Sequence, residues 1–389
     1  MERTEVEPVA VTGPPSYARG VRTRATDLFG IEYPIFAFSH CRDVVAAVSR
    51  AGGLGVLGAL YFTPEELETE LAWLDANTGG RPYGVDVVMP ATYEGGGLGD
   101  ADDLVGRLQG MIPAGHRTFL EDLLAEHGVE PSTESAGRVL LGWTDQTARP
   151  QVDVALKHPI ALLANALGPP PADVVALAHE HGVKVAGLAS NARHARKQVD
   201  VGVDIIVAQG TEAGGHTGDV ATMVLIPEVV DAVGADTIVL AAGGIGRGRQ
   251  VAAGLALGAD GAWTGSIWLT VEEADTPERA LPKLLAATSR DTVRSRAWTG
   301  KPARFLKTAW TEAWESERSP GYLPMPLQFM LVADALPRIA RSGDGELVTF
   351  PVGQIVGSMK AVRPAAQVVY DLMSEYVEAI ERLTAITEG

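Results

Sequence analysis

Cysteine is nearly missing: the 389 residues contain one, Cys41. A lone thiol excludes an internal disulfide framework and any zinc site built on several thiolates, and it fits a reducing, cytoplasmic address. Basic residues are scarce too, 32 against 49 acidic ones, which leaves a formal net charge of −17. An acidic surface repels phosphate backbones and anionic lipid, so neither nucleic acid nor a membrane surface is expected as a partner. No stretch reaches the roughly 18 apolar residues of a membrane span. Residues 1–25 alternate charge with Pro and Gly, contain no signal-peptide core, and read as a loosely ordered extension. Low-complexity segments and long repeats are also missing.

What is present is an alternation. Eight apolar runs of strand length, 34–38, 54–58, 84–89, 160–166, 184–189, 204–209, 237–242 and 261–268, are separated by helical patterns. Several are apolar without alternation, as parallel strands covered on both faces are. The helices between them stop at glycines suited to a left-handed cap: 43–50 before Gly52, 172–181 before Gly182, 250–257 before Gly258. The phrases AGGLG, EHGVKVAG, DVGVDIIV and ALGADGAW repeat one device of helix, glycine cap, short turn and next strand. That repetition predicts an α/β fold, a (β/α)8 TIM barrel, in preference to an open sheet.

Two intervals break the period. Residues 91–158 are too long for one connection and predict an insertion over the barrel mouth, with a helix near 118–127. Residues 271–355 carry charged helical patterns and the Pro-, Met- and aromatic-rich SPGYLPMPLQFMLVADAL; they predict a smaller, mainly helical second domain or lid. The barrel then comprises 26–270 and 356–389. Its last helix, 363–386, has an apolar face (Val368, Val369, Leu372, Val377, Ile380, Leu383) that would close the outer ring.

Sites in such barrels lie at the C-terminal ends of the strands, often with a phosphate after the seventh and eighth. Those ends here are Ala242-Gly243-Gly244-Ile245-Gly246 and Thr264-Gly265-Ser266. Tight turns alone would account for such glycines, but two junctions on consecutive strands favour phosphate binding by backbone N–H groups, with the helix starting near Arg249 directing its positive end at the anion. A Rossmann fingerprint fails, because the third position after Gly244 and Gly246 is Arg249 and no acidic residue ends the next strand. The phosphate therefore suits a mononucleotide such as FMN better than NAD.

His216 follows the sixth strand in AGGHTG, flanked by Gly214, Gly215 and Gly218. A lone histidine is most often a structural hydrogen-bonder, but a glycine loop held close to a ligand favours proton abstraction or hydrogen-bond donation to an anionic substrate. Ser39, His40, Cys41 and Asp43 are not read as a triad, since sequence neighbours do not face one another. His40 can still look into the barrel mouth, whereas Cys41 reads as a buried apolar group. His179 and His181 read as solvated helix surface, and no cluster has metal-ligand spacing.

The motifs AVSRAGGLGVLG (47–58), VAQGTEAGGHTG (207–218), VLAAGGIGRGRQVAAGLALGAD (239–260), TGSIW (264–268) and VGQIVGSMK (352–360) together carry a resemblance. The chain resembles the nitronate monooxygenase family, formerly the 2-nitropropane dioxygenases, over about 34–268 and the C-terminal return. The resemblance implies an FMN-dependent TIM barrel with a second, smaller domain. It places Gln209 beside the flavin ring, Gly214 and Gly215 on the cofactor loop, and Gly243, Gly244, Gly265 and Ser266 at the phosphate. It makes His216 the catalytic histidine. Ala37, Phe38 and Asp86 fall where the family borders its flavin, and His40 and Gln354 are candidate substrate contacts. The implied reaction takes a small-molecule nitronate and dioxygen to a carbonyl compound and nitrite without NAD(P)H.

Two departures stand out. The first strand ends Ala37-Phe38-Ser39-His40 where the family has an Ala-Pro-Met segment, and Asp86 takes the place of an asparagine. A carboxylate beside the flavin would disfavour the anionic reduced ring, unless it is protonated or turned away. An NAD(P)H-dependent enoyl-thioester reductase is the alternative reading, with Arg247 and Arg249 available at the rim; a non-catalytic flavin-binding scaffold is a third. A homo-oligomer is left open.

Overall fold

The computed structural model describes residues 21–89, 101–131, 145–342 and 345–388. The first 20 residues of the expected extension lie outside them. Strands follow in the order β1 (Ile35–Ser39), β2 (Leu54–Gly58), β3 (Tyr83–Asp86), β4 (Leu162–Asn165), β5 (Lys184–Ala189), β6 (Ile205–Gln209), β7 (Gly215–His216), β8 (Ile238–Ala242), β9 (Gly261–Thr264), β10 (Thr292–Ser295) and β11 (Ala303–Leu306). The eight apolar runs of the sequence are the eight parallel strands of a closed barrel, β1-β2-β3-β4-β5-β6-β8-β9. This is the (β/α)8 TIM barrel.

Strand periodicity explains why the runs are apolar throughout. Phe36, Leu54, Val56, Leu162, Val207, Leu240 and Trp263 fill the barrel interior, while Ile35, Ala37, Leu57, Val85, Ile206 and Val239 pack outward beneath the helices. The glycine stops hold: Gly52, Gly182 and Gly258 have φ of 98°, 73° and 100°. Some strands are shorter than their apolar runs: 84–89 stops at Asp86, 160–166 narrows to Leu162–Asn165, and 261–268 is cut most. β9 ends at Thr264, and Ser266–Thr270 form a 3-10 helix instead. There the Trp268 indole N–H turns back on the Thr264 carbonyl (3.1 Å) and hydroxyl (3.0 Å).

The N-terminal end of the barrel is plugged by the helix Arg24–Phe29, begun by a capping box between Thr23 and Thr26. Ala25 and Phe29 join the interior cluster, and Phe29 meets Phe36 edge-on at 5.6 Å. Arg24 pairs with Asp260 at 2.7 Å and donates to the Thr237 carbonyl at 3.0 Å. Asp260 also accepts from the Val239 N–H at 3.0 Å. Asp204 does the same two strands earlier, accepting from Val185 N–H at 2.9 Å and pairing with Lys184 and with His179. The repeated GVD and GAD phrases are therefore strand clamps. His179 is part of one of them and is not merely solvated surface.

Of the expected insertion at 91–158, residues 91–100 and 132–144 lie outside the described residues, and the rest divides between two places. The helix Asp145–Ala155 packs on the barrel helix Pro64–Asn77, whereas Ala101–Met111 and Ala114–Glu126 pack on the later helices Leu327–Val332 and Ala335–Arg341. Ile112, Leu120 and Leu124 share a core with Trp310, Trp314, Leu331 and Ile339. Beside this helical unit lies a three-stranded antiparallel sheet, β10-β11-β7. The final helix, Ala365–Glu388, packs between Gly248–Ala256 and Arg42–Arg50 and so closes the outer ring. Of the expected face, Val368, Val369 and Leu372 are buried, joined by Ala365 and Met373; Ile380 and Leu383 are exposed. Among the described residues no helix is long and apolar enough to cross a membrane, and no group of His, Cys, Asp and Glu is arranged to hold a metal ion.

Candidate active site

A cavity of about 480 Å³ opens at the C-terminal ends of the strands. Phe38, His40, Asp86, Gln209, Gly214, Gly215, His216, Gly243, Gly244, Gly265 and Ser266 all line it. Two expected residues do not. Ala37 is fully buried on the outer face of β1, since alternation sends Phe38 inward and its neighbour toward the helices. Gln354 starts a short 3-10 helix, donates its backbone N–H to the Glu212 carbonyl at 2.9 Å, and is not on the wall; Gly353 and Ile355 on either side of it are.

The cradle at β8 and β9 is built by glycine. Gly243 and Gly244 have φ of 95° and 68°, and a Cβ on Gly243 would lie 2.9 Å from both the Gly210 carbonyl and the Thr222 hydroxyl. Gly265 borders open space, with nothing within 4 Å of its Cβ position. The Ser266 hydroxyl accepts from the Gly353 N–H at 2.8 Å, which leaves its own O–H to donate. The wall contains no Lys or Arg side chain among the described residues, so an anion there is met by N–H and O–H dipoles.

The helix near Arg249 does not contribute as expected. Gly246 and Arg247 donate their amides to Gln250 Oε1, both at 3.0 Å, and Gly248 donates to Glu375 Oε2 at 2.8 Å. Its first amides are thereby occupied, with Arg247 itself paired to Glu375. The glycine turn and Ser266 line the cavity, whereas this helix end does not.

His216 also lines the cavity. β7 puts it in register with Ala303 of β11, so the second sheet fixes its backbone. Its Nε2 lies 2.8 Å from Thr299 Oγ1. Burial, and secondarily the nearby Lys301 ammonium, push its pKa down to about 4, so the imidazole is neutral at pH 7. Arg304 secures the same loop from below: it is buried, and its Nε (3.1 Å) and Nη2 (2.9 Å) both donate to the Thr211 carbonyl.

Elsewhere on the wall, His40 Nδ1 lies 2.9 Å from the Gly58 carbonyl, and burial lowers its pKa. Gly58 makes this approach feasible, since a Cβ there would sit 2.6 Å from Nδ1. The His40 ring also contacts Phe38 at 5.1 Å and Tyr61 at 4.9 Å. Cys41 is buried with its Sγ against the Glu273 carbonyl, outside the cavity. Asp86 is buried beside the cavity, and desolvation pushes its carboxyl up to about 7.

These features meet in one known pattern. The sequence pattern of the family described as "Nitronate monooxygenase" matches residues 22–375. The chain belongs to the nitronate monooxygenase family. It is 54% identical over 379 residues to a Mycobacterium tuberculosis protein whose name describes it as a monooxygenase, covering 95% of this chain and 100% of that one. Its fold is similar to nitroalkane oxidase from Streptomyces ansochromogenes, with 29% identity, a TM-score of 0.76, and 92% and 99% of the two chains covered. FabK from Thermotoga maritima is similar at 28% identity and a TM-score of 0.72, over 94% and 99%. Members are flavin-dependent oxidoreductases, and the cavity fits such a cofactor: a cation-free glycine cradle and a buried, partnerless Asp86 oxygen on the wall.

Several site residues of this family member had no signal in the sequence. Thr299 and Lys301, which tune His216, come from the second unit, as do Trp298 and Phe305, stacked at 5.0 Å on the cavity wall. Their segment, SRAWTGKPARF, shows aromatics and charge but nothing that ties it to AGGHTG. Gly58 was visible only as the last residue of an apolar strand run.

Proposed function

We propose that this protein is an FMN-dependent enzyme that oxidises an alkyl nitronate, or a related carbon acid, with dioxygen to a carbonyl compound and nitrite. The observation that carries this reading is His216: a neutral imidazole held on Thr299, on the wall of a cavity that the Gly243–Gly244 turn, Gly265 and Ser266 also line. The Gly243–Gly244 turn, Gly265 and Ser266 would hold the FMN phosphate, with Gln209, Phe38 and Asp86 beside the ring. Bound FMN supplies electron acceptance from substrate and electron transfer to dioxygen. A neutral His216 can take the α-proton of a nitroalkane or donate a hydrogen bond to the nitro group, according to its tautomer. Trp298, Phe305 and Phe350 offer the organic part of the substrate an apolar wall.

The likeness to FabK supports a second reading, an enoyl-thioester reductase that needs NAD(P)H. Against it, Arg247 is paired with Glu375, and no cationic side chain lines the cavity among the described residues. Anaerobic mixing separates the two. Bleaching of the flavin by a nitronate and not by NADPH is the expected result; bleaching by NADPH alone would overturn the first reading in favour of the second.

A further inference from the structure

Asp86 ends β3 at the cavity and is 3% exposed. In register beside it stand Gly58 of β2 and Ala164 of β4, neither of which offers a polar side chain. The nearby Ala166 N–H favours the charged carboxyl but does not outweigh the burial. Oδ1 is buried with no partner among the described residues. The titratable side chains that share the wall are His40 and Tyr61, from the loops after β1 and β2, His216 on β7, and Asp275. β4 and β5 contribute Ala166, Leu167 and Leu188, which do not titrate. Among the described residues no cation offsets the burial.

A buried carboxylate with one oxygen unpartnered costs several kcal/mol, and such a group takes up a proton instead. Once protonated, it carries one O–H donor and one C=O acceptor, the same pair of functions as a primary amide. A flavin ring edge presents carbonyl oxygens flanking an N–H, the complement of that pair. Asp86 lines the cavity, where its carboxyl can meet this edge.

We propose that Asp86 is a cofactor-binding residue that works as a neutral carboxylic acid, donating its O–H to a flavin carbonyl and accepting from the ring N–H, so that flavin binds the protonated site and leaves as it ionises. The inference rests on the flavin reading above. The carboxyl, pushed up to about 7, changes state within the ordinary working range. Below that pH affinity is full; well above it, each pH unit weakens apparent binding by up to about tenfold, because only the protonated fraction is competent.

The test is a fluorescence titration of flavin-stripped protein with FMN from pH 6 to 9, on the wild type, Asp86→Asn and Asp86→Leu. The amide keeps both hydrogen-bonding functions and cannot ionise. Asp86→Asn is expected to bind tightly at every pH, wild type to lose about tenfold between pH 7.5 and 8.5, and Asp86→Leu to be weak throughout. FMN's own phosphate titrates equally in all three, so identical pH profiles for wild type and Asp86→Asn would overturn the proposal. Infrared difference spectra of the wild-type holoprotein give an independent reading: a protonated-carboxyl C=O stretch at pH 6 supports it, and its absence overturns it. Failure of every variant to take up FMN at any pH would instead overturn the flavin reading, a separate result.

Discussion

Gly214 and Gly353 cross back to back, and each occupies the space that a side chain on the other would need. A Cβ on Gly214 would lie 2.7 Å from the Gly353 nitrogen, and a Cβ on Gly353 would lie 3.0 Å from the Gly214 nitrogen and 2.6 Å from the Glu212 carbonyl. The crossing ties the C-terminal return to the loop that carries His216, two residues further on. It also brings the Gly353 N–H to Ser266 in the cradle. Both parts of the cavity wall thus depend on one contact between backbones.

Gly353→Ala should separate these segments. Overpacking a close backbone contact costs about 1–3 kcal/mol, and flavin occupancy should fall with the melting temperature. Gly265→Ala makes the contrast, because its Cβ meets nothing within 4 Å and projects into open space at the cradle. It should weaken flavin binding while moving the melting temperature little. Equal thermal losses in the two variants would refute the distinction between a structural and a binding glycine.

His216→Asn should retain flavin and lose about 10²–10⁴-fold of its turnover on neutral nitroalkanes, the usual worth of a positioned base, while pre-formed nitronates are oxidised within roughly tenfold of wild type. With His216 pushed down to about 4, nitroalkane turnover should not depend on its ionisation from pH 6 to 8 and should decline as pH approaches 4. Removing the Lys301 charge, as Lys301→Met, should move that acid limb to higher pH, since a nearby cation disfavours the imidazolium. Steady-state rates against pH give the answer, and an unmoved limb would remove Lys301 from this role.

The barrel was legible because the strands are covered on both faces and most αβ turns place a glycine in the left-handed region, as at Gly182 and Gly258. Those constraints are local and leave marks in the order of residues. The cradle at Gly243–Gly244 was legible for the same reason. What sets the chemistry of His216 was not: Thr299 lies 83 residues further along, brought in by the pairing of β7 with β11. Nor could the sequence show that Glu375, 127 residues beyond Gly248, occupies the first amide of the helix that an anion was expected to use. Ala37 is a different case, since period-two alternation already puts it on the opposite face from Phe38.

The strand clamps predict a stability effect remote from the cavity. Asp260→Ala removes the Arg24 pair and the acceptor for the Val239 N–H together. Arg24 is 45% exposed at its side chain, so solvent screening keeps the ion pair small, and the orphaned buried amide dominates at about 1–3 kcal/mol. Urea denaturation should report this loss without a change in flavin affinity. Asp260→Asn keeps an acceptor oxygen and should recover part of it.

Asp86 predicts that stability depends on pH in the direction opposite to an ordinary ion-paired acid. Its folded pKa, about 7, lies above an unfolded value of about 3.9. Between those values the native chain holds a proton that the unfolded chain has released, so this residue's contribution falls as pH rises from about 4 to about 7, and then levels off. At about 1.4 kcal/mol per unit, the cost accrued between pH 5 and pH 8 is roughly 2–3 kcal/mol. Asp86→Asn does not carry that cost. The flavin-free variant should therefore be more stable than wild type at pH 8, with the difference shrinking toward pH 5. Paired urea melts at the two pH values measure it. A stability difference that does not change with pH would mean that Asp86 is already ionised in the folded chain at pH 5, with its charge satisfied by a neighbour, and the neutral-acid account of the site would fail with it.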